Sequence, residues 1–163
     1  MAFNLIAGEV EQLATGMAFT EGPCWLAEHR KLVFTDIPAN AIMQWHPDTG
    51  LQVWCDNSHF AIGLTRDLAG RVIACEHSTR VLSALEVTAD GACGKRTVLA
   101  SGINDRVLNS TNDVICTAGG AILFTDPPFG VRAEDGQLHG YQQAMELPGC
   151  FVLAVGDSDV RDK

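Results

Sequence analysis

One pattern occurs three times along this sequence: a turn, four or five strand-forming residues, and then a carboxylate. The three copies are residues 30–36, 70–76 and 120–126, and their carboxylates are Asp36, Glu76 and Asp126. A partner strand is predicted just upstream of each copy, at residues 22–26, 63–67 and 113–116, so that each pair predicts a β-hairpin. Two further strand-like runs follow each of the first two copies, at residues 41–45, 51–54, 81–87 and 97–100. Four strands every 40 to 50 residues is the repeat of a β-propeller blade, with a plain β-sandwich as the alternative.

The third unit departs from this pattern. Residues 150–155 predict its third strand and residues 156–159 a turn, but residues 160–163 are too few and too charged for a fourth. Residues 132–145 are a long polar insertion. The sequence therefore predicts an all-β fold, a single partial β-propeller of about three blades over residues 1–163. Its blade-like units are expected at about 18–57, 60–101 and 110–160.

Composition limits the partners of this chain. A hydrophobic content of 47% can form a globular core, and a net charge of −9 opposes binding to a phosphate backbone. No run approaches the roughly 18 apolar residues of a membrane helix, and the N-terminus lacks the basic and apolar regions of a signal peptide. We therefore expect a cytoplasmic protein with neither nucleic acid nor membrane as a partner. Serine-hydrolase, P-loop, zincin and dinucleotide motifs do not occur in the sequence.

The six cysteines are spaced far apart and form no C-x-x-C pair. Without a secretion signal they are predicted to be free thiols. Cys24, Cys75 and Cys116 lie within apolar runs, where a reduced cysteine packs as a small hydrophobic residue.

Alignment of the three units on their carboxylates places Glu21, Ile62 and Asn112 at equivalent positions. In a closed propeller, the innermost strands would direct all three into one mouth of the central channel. Carboxylate and amide oxygens suit Ca²⁺ or Mg²⁺, and Zn²⁺ is a further candidate. From spacing alone, Asn112 could equally be a turn residue and Glu21 a solvated carboxylate.

Five segments, in order, resemble the gluconolactonase family that also contains the senescence marker and regucalcin proteins. They are Glu-Gly-Pro-Cys-Trp at 21–25, Phe-Thr-Asp-Ile-Pro-Ala-Asn at 34–40, Gly-Leu-Thr-Arg-Asp at 63–67, Ile-Ala-Cys-Glu-His at 73–77, and Asn-Asp-Val at 112–114 through Phe-Thr-Asp-Pro-Pro-Phe-Gly at 124–130. The resemblance runs from about Glu21 to about Val152, which would be the N-terminal half of the fold. It implies a six-bladed propeller with one divalent cation at the axial mouth, where water opens a sugar lactone.

The resemblance also assigns roles to individual residues. Glu21 matches the first metal ligand of the family, and Asn112 matches an asparagine that contacts the substrate or a metal-bound water; both residues are candidate metal-site residues. Ca²⁺ is the first expectation, with Zn²⁺ or Mg²⁺ as alternatives. His77, near the expected mouth, is a candidate for orienting the substrate or transferring a proton, or is a rim residue. The remaining ligands of the family come from later blades.

Two positions depart from the family pattern. Ile62 stands where many relatives have asparagine, and Val107 where they have arginine. Arg106, one residue earlier, is the candidate to replace this substrate-binding arginine. Asp36 and Asp126 are better explained as acceptors that close a turn or a blade.

Three functional hypotheses follow. The first is a gluconolactonase-like enzyme that acts on a small sugar lactone and is impaired by truncation, as a frameshift or early stop over residues 154–163 would produce. The second is a homodimer in which two halves complete one ring. The third is a non-catalytic binding module.

Overall fold

The computed structural model describes residues 8–131, 149–153 and 160–162, which form three four-stranded antiparallel sheets and one hairpin. The first blade contains β1 (Thr20–Leu26), β2 (Lys31–Asp36), β3 (Ala41–His46) and β4 (Gly50–Asp56). The second blade contains β5 (Ala61–Arg66), β6 (Val72–Glu76), β7 (Val81–Val87) and β8 (Cys93–Ala100). A hairpin of β9 (Gly102–Ile103) and β10 (Arg106–Val107) leads to the third blade. The third blade contains β11 (Val114–Cys116), β12 (Ile122–Asp126), β13 (Gly149–Leu153) and β14 (Val160–Asp162).

Within each blade the strands lie side by side in chain order, which is the meander of a propeller blade. Short 3₁₀ helices occupy Ala27–His29 and Phe129–Val131. The prediction of an all-β, partial propeller is therefore confirmed. Within the described part of the chain, no helix is both long enough and apolar enough to span a membrane.

The third blade corrects one expectation from the sequence. Residues 160–163 were predicted to be too short and too charged for a fourth strand, yet Val160–Asp162 pairs with β13. Strand pairing uses backbone groups, so three residues can add to an edge whatever their side-chain polarity. The predicted turn at 156–159 and the insertion at 132–145 lie outside the described residues.

The second blade packs against another blade on each of its faces, and alternate side chains of β6 contribute to the two cores. Val72 and Ala74 join a core cluster shared with the first blade, whereas Ile73 and Cys75 join a cluster shared with the third. Successive side chains of a strand point to opposite faces, so a continuous apolar strand fits a sheet packed between two others. All six cysteines are free, and Cys24 and Cys75 are buried in these clusters.

Hydrogen bonds between blades align their innermost strands. The buried Thr35 hydroxyl donates to the carbonyl oxygens of Glu21 at 3.1 Å and Ile62 at 3.0 Å, which belong to the first and second blades. The Thr111 hydroxyl donates to the Val81 carbonyl oxygen at 2.9 Å, which ties the third blade to the second. These contacts hold the candidate mouth positions in register.

The repeated carboxylates close two of the blades, as predicted. Asp36 accepts hydrogen bonds from the backbone N–H groups of Ala18 and Phe19, and Asp126 accepts one from that of Asn109 at 2.7 Å. Burial raises the pKa of Asp126. In the second blade the longer Glu76 side chain instead pairs with Arg96.

Thr35→Val is expected to lower the free energy of unfolding by about 1–2 kcal/mol, because it removes one buried donor shared by two carbonyl oxygens. Urea denaturation measures the change. Thr97→Val on the exposed part of β8 is the matched control and should change stability by less than about 0.5 kcal/mol. Equal effects of the two substitutions would contradict a blade-coupling role for Thr35.

Candidate functional site

A cavity of about 620 Å³ lies where the innermost strands of the three blades meet. The residues that line it are Phe19, Glu21, Gly22, Pro23, Ile37, Ile62, Gly63, Leu64, His77, Asn112, Asp113 and Phe129. The three positions aligned from the sequence, Glu21, Ile62 and Asn112, are therefore brought together, and His77 joins them.

Local backbone irregularities set the positions of Glu21 and Ile62. A register shift of the β-bulge type begins at Glu21 in β1, between Glu21 and Cys24, and another includes Ile62 in β5, between Ala61 and Leu64. Bulges bend a strand and redirect side chains, and they are common beside functional sites. The bulge in β1 contains Gly22 at φ +55°, a conformation that L side chains rarely adopt.

Glycines allow the innermost strands to approach one another closely. A Cβ on Gly22 would lie 2.3 Å from the carbonyl oxygen of Ile62, and one on Gly63 would lie 2.6 Å from that of Asn112. The Gly63 N–H donates to the same Asn112 oxygen at 2.8 Å. Asn112 also donates its N–H to the Thr125 carbonyl oxygen at 2.9 Å, which fixes it beside β12.

His77 follows the last residue of β6, and its imidazole packs against Gly130, where an added Cβ would lie 2.8 Å from the ring. Burial lowers the pKa of His77 from 6.5 to about 4, so the ring is neutral near pH 7. Among the described residues, none hydrogen-bonds its Nε2 atom. The imidazole is therefore able to accept a proton or a hydrogen bond.

Stability should fall as the pH is lowered from 6.5 to about 4, because the unfolded chain binds a proton at His77 before the folded chain does. Above pH 6.5 both states are neutral and the penalty is absent. We expect a loss of about 1–2 kcal/mol, reduced from the full value because the side chain is partly solvated. Urea denaturation across this pH range should show that the free energy of unfolding depends less steeply on pH in His77→Gln than in the wild type. An equally steep pH dependence in the two proteins would contradict the assignment of this effect to His77.

Arg106 is placed apart from these residues. It is exposed on β10, and among the described residues it is not one of those that line the cavity. The sequence analysis overlooked the β9–β10 hairpin, although its signal was present in Asn104 and Asp105. Both have positive φ, +49° and +63°, as the two central residues of a type I′ turn require.

The sequence analysis also assigned no role to Asp113 and Phe129, which line the cavity. Asp113 is exposed next to Asn112, and its Oδ1 atom accepts the N–H of Val114 at 2.8 Å. The adjacency of Asp113 to Asn112 was the available signal. Phe129 is carried by the 3₁₀ helix after β12, a position that no strand pattern indicates.

The oxygen donors at this cavity are of the kind that hard cations bind, but they are too few to form a complete set of ligands. Glu21 supplies a carboxylate and Asn112 a side-chain amide oxygen, whereas Ca²⁺ takes about 6–8 oxygen ligands and Mg²⁺ about six. No cluster of three His, Cys, Asp or Glu side chains able to hold a metal is found among the described residues. A cation here would need further ligands beyond these two side chains.

Comparison with known proteins identifies one family model and a related enzyme. Residues 19–149 match the family model described as "SMP-30/Gluconolactonase/LRE-like region". A gluconolactonase of Zymomonas mobilis is 27% identical over 143 residues, covering 80% of this chain and 39% of that protein.

Two solved structures extend the similarity to the fold. A Xanthomonas campestris gluconolactonase has a TM-score of 0.77 at 29% identity, covering 90% of this chain and 47% of the other. A structure described as a putative gluconolactonase has a TM-score of 0.81 at 27% identity, covering 93% of this chain and 50% of the other. This chain thus spans about half the length of the relatives it matches, or less.

Proposed function

Because this chain belongs to the SMP-30/gluconolactonase/LRE-like family, we propose that its cavity takes part in the metal-assisted hydrolysis of a sugar lactone. The observation that carries the proposal is the position of Glu21, Asn112 and His77 in the wall of one cavity at the meeting point of three blades.

Each side chain has a role suited to its chemistry. Glu21 and Asn112 would hold a divalent cation, Ca²⁺ first and Zn²⁺ or Mg²⁺ as alternatives, and Asn112 would also orient the lactone through its amide. When bound, the cation would polarise the carbonyl and lower the pKa of water. The neutral His77 would accept a proton from the attacking water and return it to the ring oxygen as the ring C–O bond breaks. The product is a single open-chain hydroxy acid.

This chain covers less than two-thirds of its relatives, so the proposal concerns a partial ring. Glu21 and Asn112 alone do not complete a coordination sphere. A second copy of the chain could supply the same two groups from the opposite side of the channel. We therefore expect turnover to depend on assembly as well as on metal.

The test starts with chain freed of metal by a chelator. Light scattering with and without Ca²⁺ or Zn²⁺ measures the mass, and the acid released from glucono-lactone measures turnover on the same sample. Glu21→Gln should remove most of the metal-stimulated rate, whereas Glu86→Gln, an exposed charge-matched control on β7, should retain it. If wild type and Glu21→Gln respond equally to metal, Glu21 is not a ligand.

A non-catalytic binding module is the second candidate, and Ile62 is the observation that favours it. This apolar residue lines the cavity at the position equivalent to Glu21 and Asn112, so that one of three aligned donors is absent. Saturable lactone binding without acid release, lost in Asn112→Ala, would support this candidate. Turnover in the folded chain would exclude it.

A further inference from the structure

Two cysteines from different blades meet at the packed interface between the first and second blades. Cys55 is the second-last residue of β4, and Cys93 is the first residue of β8. Both are partly buried against the same core cluster, and their side chains lie within interaction distance of each other. The Cys55 thiol donates to the carbonyl oxygen of Asp56 at 3.5 Å, and the Cys93 thiol donates to that of Gly94 at 3.9 Å. The sequence alone does not indicate this pair, because the two cysteines are far apart in the chain.

The backbone around both sulfur atoms is held in place across the blade interface. Buried Trp54, next to Cys55, donates its indole N–H to the carbonyl oxygen of Gly91 at 3.0 Å, and Lys31 donates to the same oxygen at 3.1 Å. Gly91 lies two residues before Cys93, and the His29 ring packs against it. A register shift in the pairing of β3 with β4 leaves Trp54 without a partner residue on β3. Trp54 and Cys55 both pack in the core cluster that the first and second blades share.

We propose that Cys55 and Cys93 are a redox-responsive pair that hydrogen peroxide converts into a disulfide joining the first blade to the second. This inference is independent of the proposed lactone chemistry. The pair lies between the outer strands of the blades, and neither cysteine is among the residues that line the cavity.

The two thiols are suited to different steps of this reaction. The interaction with the neighbouring Cys93 thiol lowers the pKa of Cys55, and the same interaction, with burial, raises the pKa of Cys93. Cys55 is therefore the nucleophile and Cys93 the resolving thiol. The Cys55 thiolate attacks peroxide, the O–O bond breaks, and Cys55 becomes a sulfenic acid as water is released. The Cys93 sulfur then attacks the Cys55 sulfur, the S–O bond breaks, and the Cys93 proton leaves with the hydroxyl as a second water. The two sulfurs together lose the two electrons that reduce one peroxide.

The test uses the full reduced chain under native conditions, treated with a small molar excess of hydrogen peroxide. Non-reducing peptide mass spectrometry should find one cross-linked species that joins the peptides carrying Cys55 and Cys93, and the free thiol count should fall by two from six. Dithiothreitol should restore all the thiols. Closing this loop should raise the midpoint of thermal unfolding, because the cross-link restricts the unfolded chain.

Variants distinguish disulfide formation by Cys55 and Cys93 from general oxidation of the cysteines. Cys55→Ser should abolish the cross-link, and Cys93→Ala should leave Cys55 as a sulfenic acid that reacts with dimedone. Cys150→Ser removes an exposed thiol and should leave the cross-link unchanged. The proposal is overturned if Cys150 is oxidised while Cys55 and Cys93 remain reduced. It is equally overturned if the Cys55–Cys93 peptide forms only when the chain is denatured.

Discussion

Arg96→Met is expected to lower the free energy of unfolding by about 3–5 kcal/mol, because it leaves a buried carboxylate without its counter-ion. The Glu76 side chain is 2% exposed, and Arg96 donates to its two oxygens at 2.6 and 2.5 Å. The Ser83 hydroxyl donates to Oε1 at 2.5 Å, and the Thr79 hydroxyl donates to Oε2. Two neutral donors would remain, and these do not replace a guanidinium. The hydrogen bond to Glu76 correspondingly raises the pKa of Arg96.

Urea denaturation with a matched arginine substitution checks this result. Arg30 pairs with Asp48 at 3.5 Å, and both side chains are largely exposed, at 62% and 68%. Arg30→Met should therefore cost less than about 1 kcal/mol. Adding Glu76→Gln to Arg96→Met should restore part of the lost stability, because the uncompensated charge is then absent. Similar losses for Arg30→Met and Arg96→Met would show that burial of Glu76 does not determine the effect.

Gly63→Ala is expected to destabilise the chain by about 1–3 kcal/mol through overpacking at the blade junction. The added methyl carbon would lie 2.6 Å from the Asn112 carbonyl oxygen and 2.8 Å from the Asp113 Cα atom. Both neighbours are backbone, so relief requires the second and third blades to separate. That movement would weaken the 2.8 Å hydrogen bond from the Gly63 N–H to Asn112. It would also displace Asn112 from the cavity wall.

Gly119→Ala is the control for this substitution. The nearest atom to a Cβ at Gly119 lies 3.9 Å away, and no left-handed φ applies there. Alanine at such a position restricts the unfolded chain and should raise stability by up to about 1 kcal/mol. Denaturation curves of the two variants should therefore move in opposite directions. A Gly63→Ala chain as stable as the wild type would show that the junction tolerates a wider spacing.

Much of the candidate site followed from the repeat. The equivalence of Glu21, Ile62 and Asn112 depends on how many residues separate each of them from its repeated carboxylate. That sequence spacing is similar in the three units because each position and its carboxylate belong to the same hairpin. All three line one cavity, as the alignment predicted. Arg106 shows the limit of this approach: Asn104 and Asp105 indicate a turn, but only the folded chain shows that the resulting hairpin places Arg106 apart from the cavity.

The sequence by itself determined the all-β fold, the strand repeat and the placement of the two donors at the start of an innermost strand or just before it. These properties depend on local periodicity and turn residues, which are encoded over short stretches of chain. Only the tertiary structure decided what each buried side chain faces. Burial of His77, the Glu76–Arg96 pair, the Gly63–Asn112 approach and the Cys55–Cys93 pair all depend on packing between strands, and most of it joins separate blades. An alternating pattern specifies which face of a strand is buried, and the partner across that face depends on how the sheets pack.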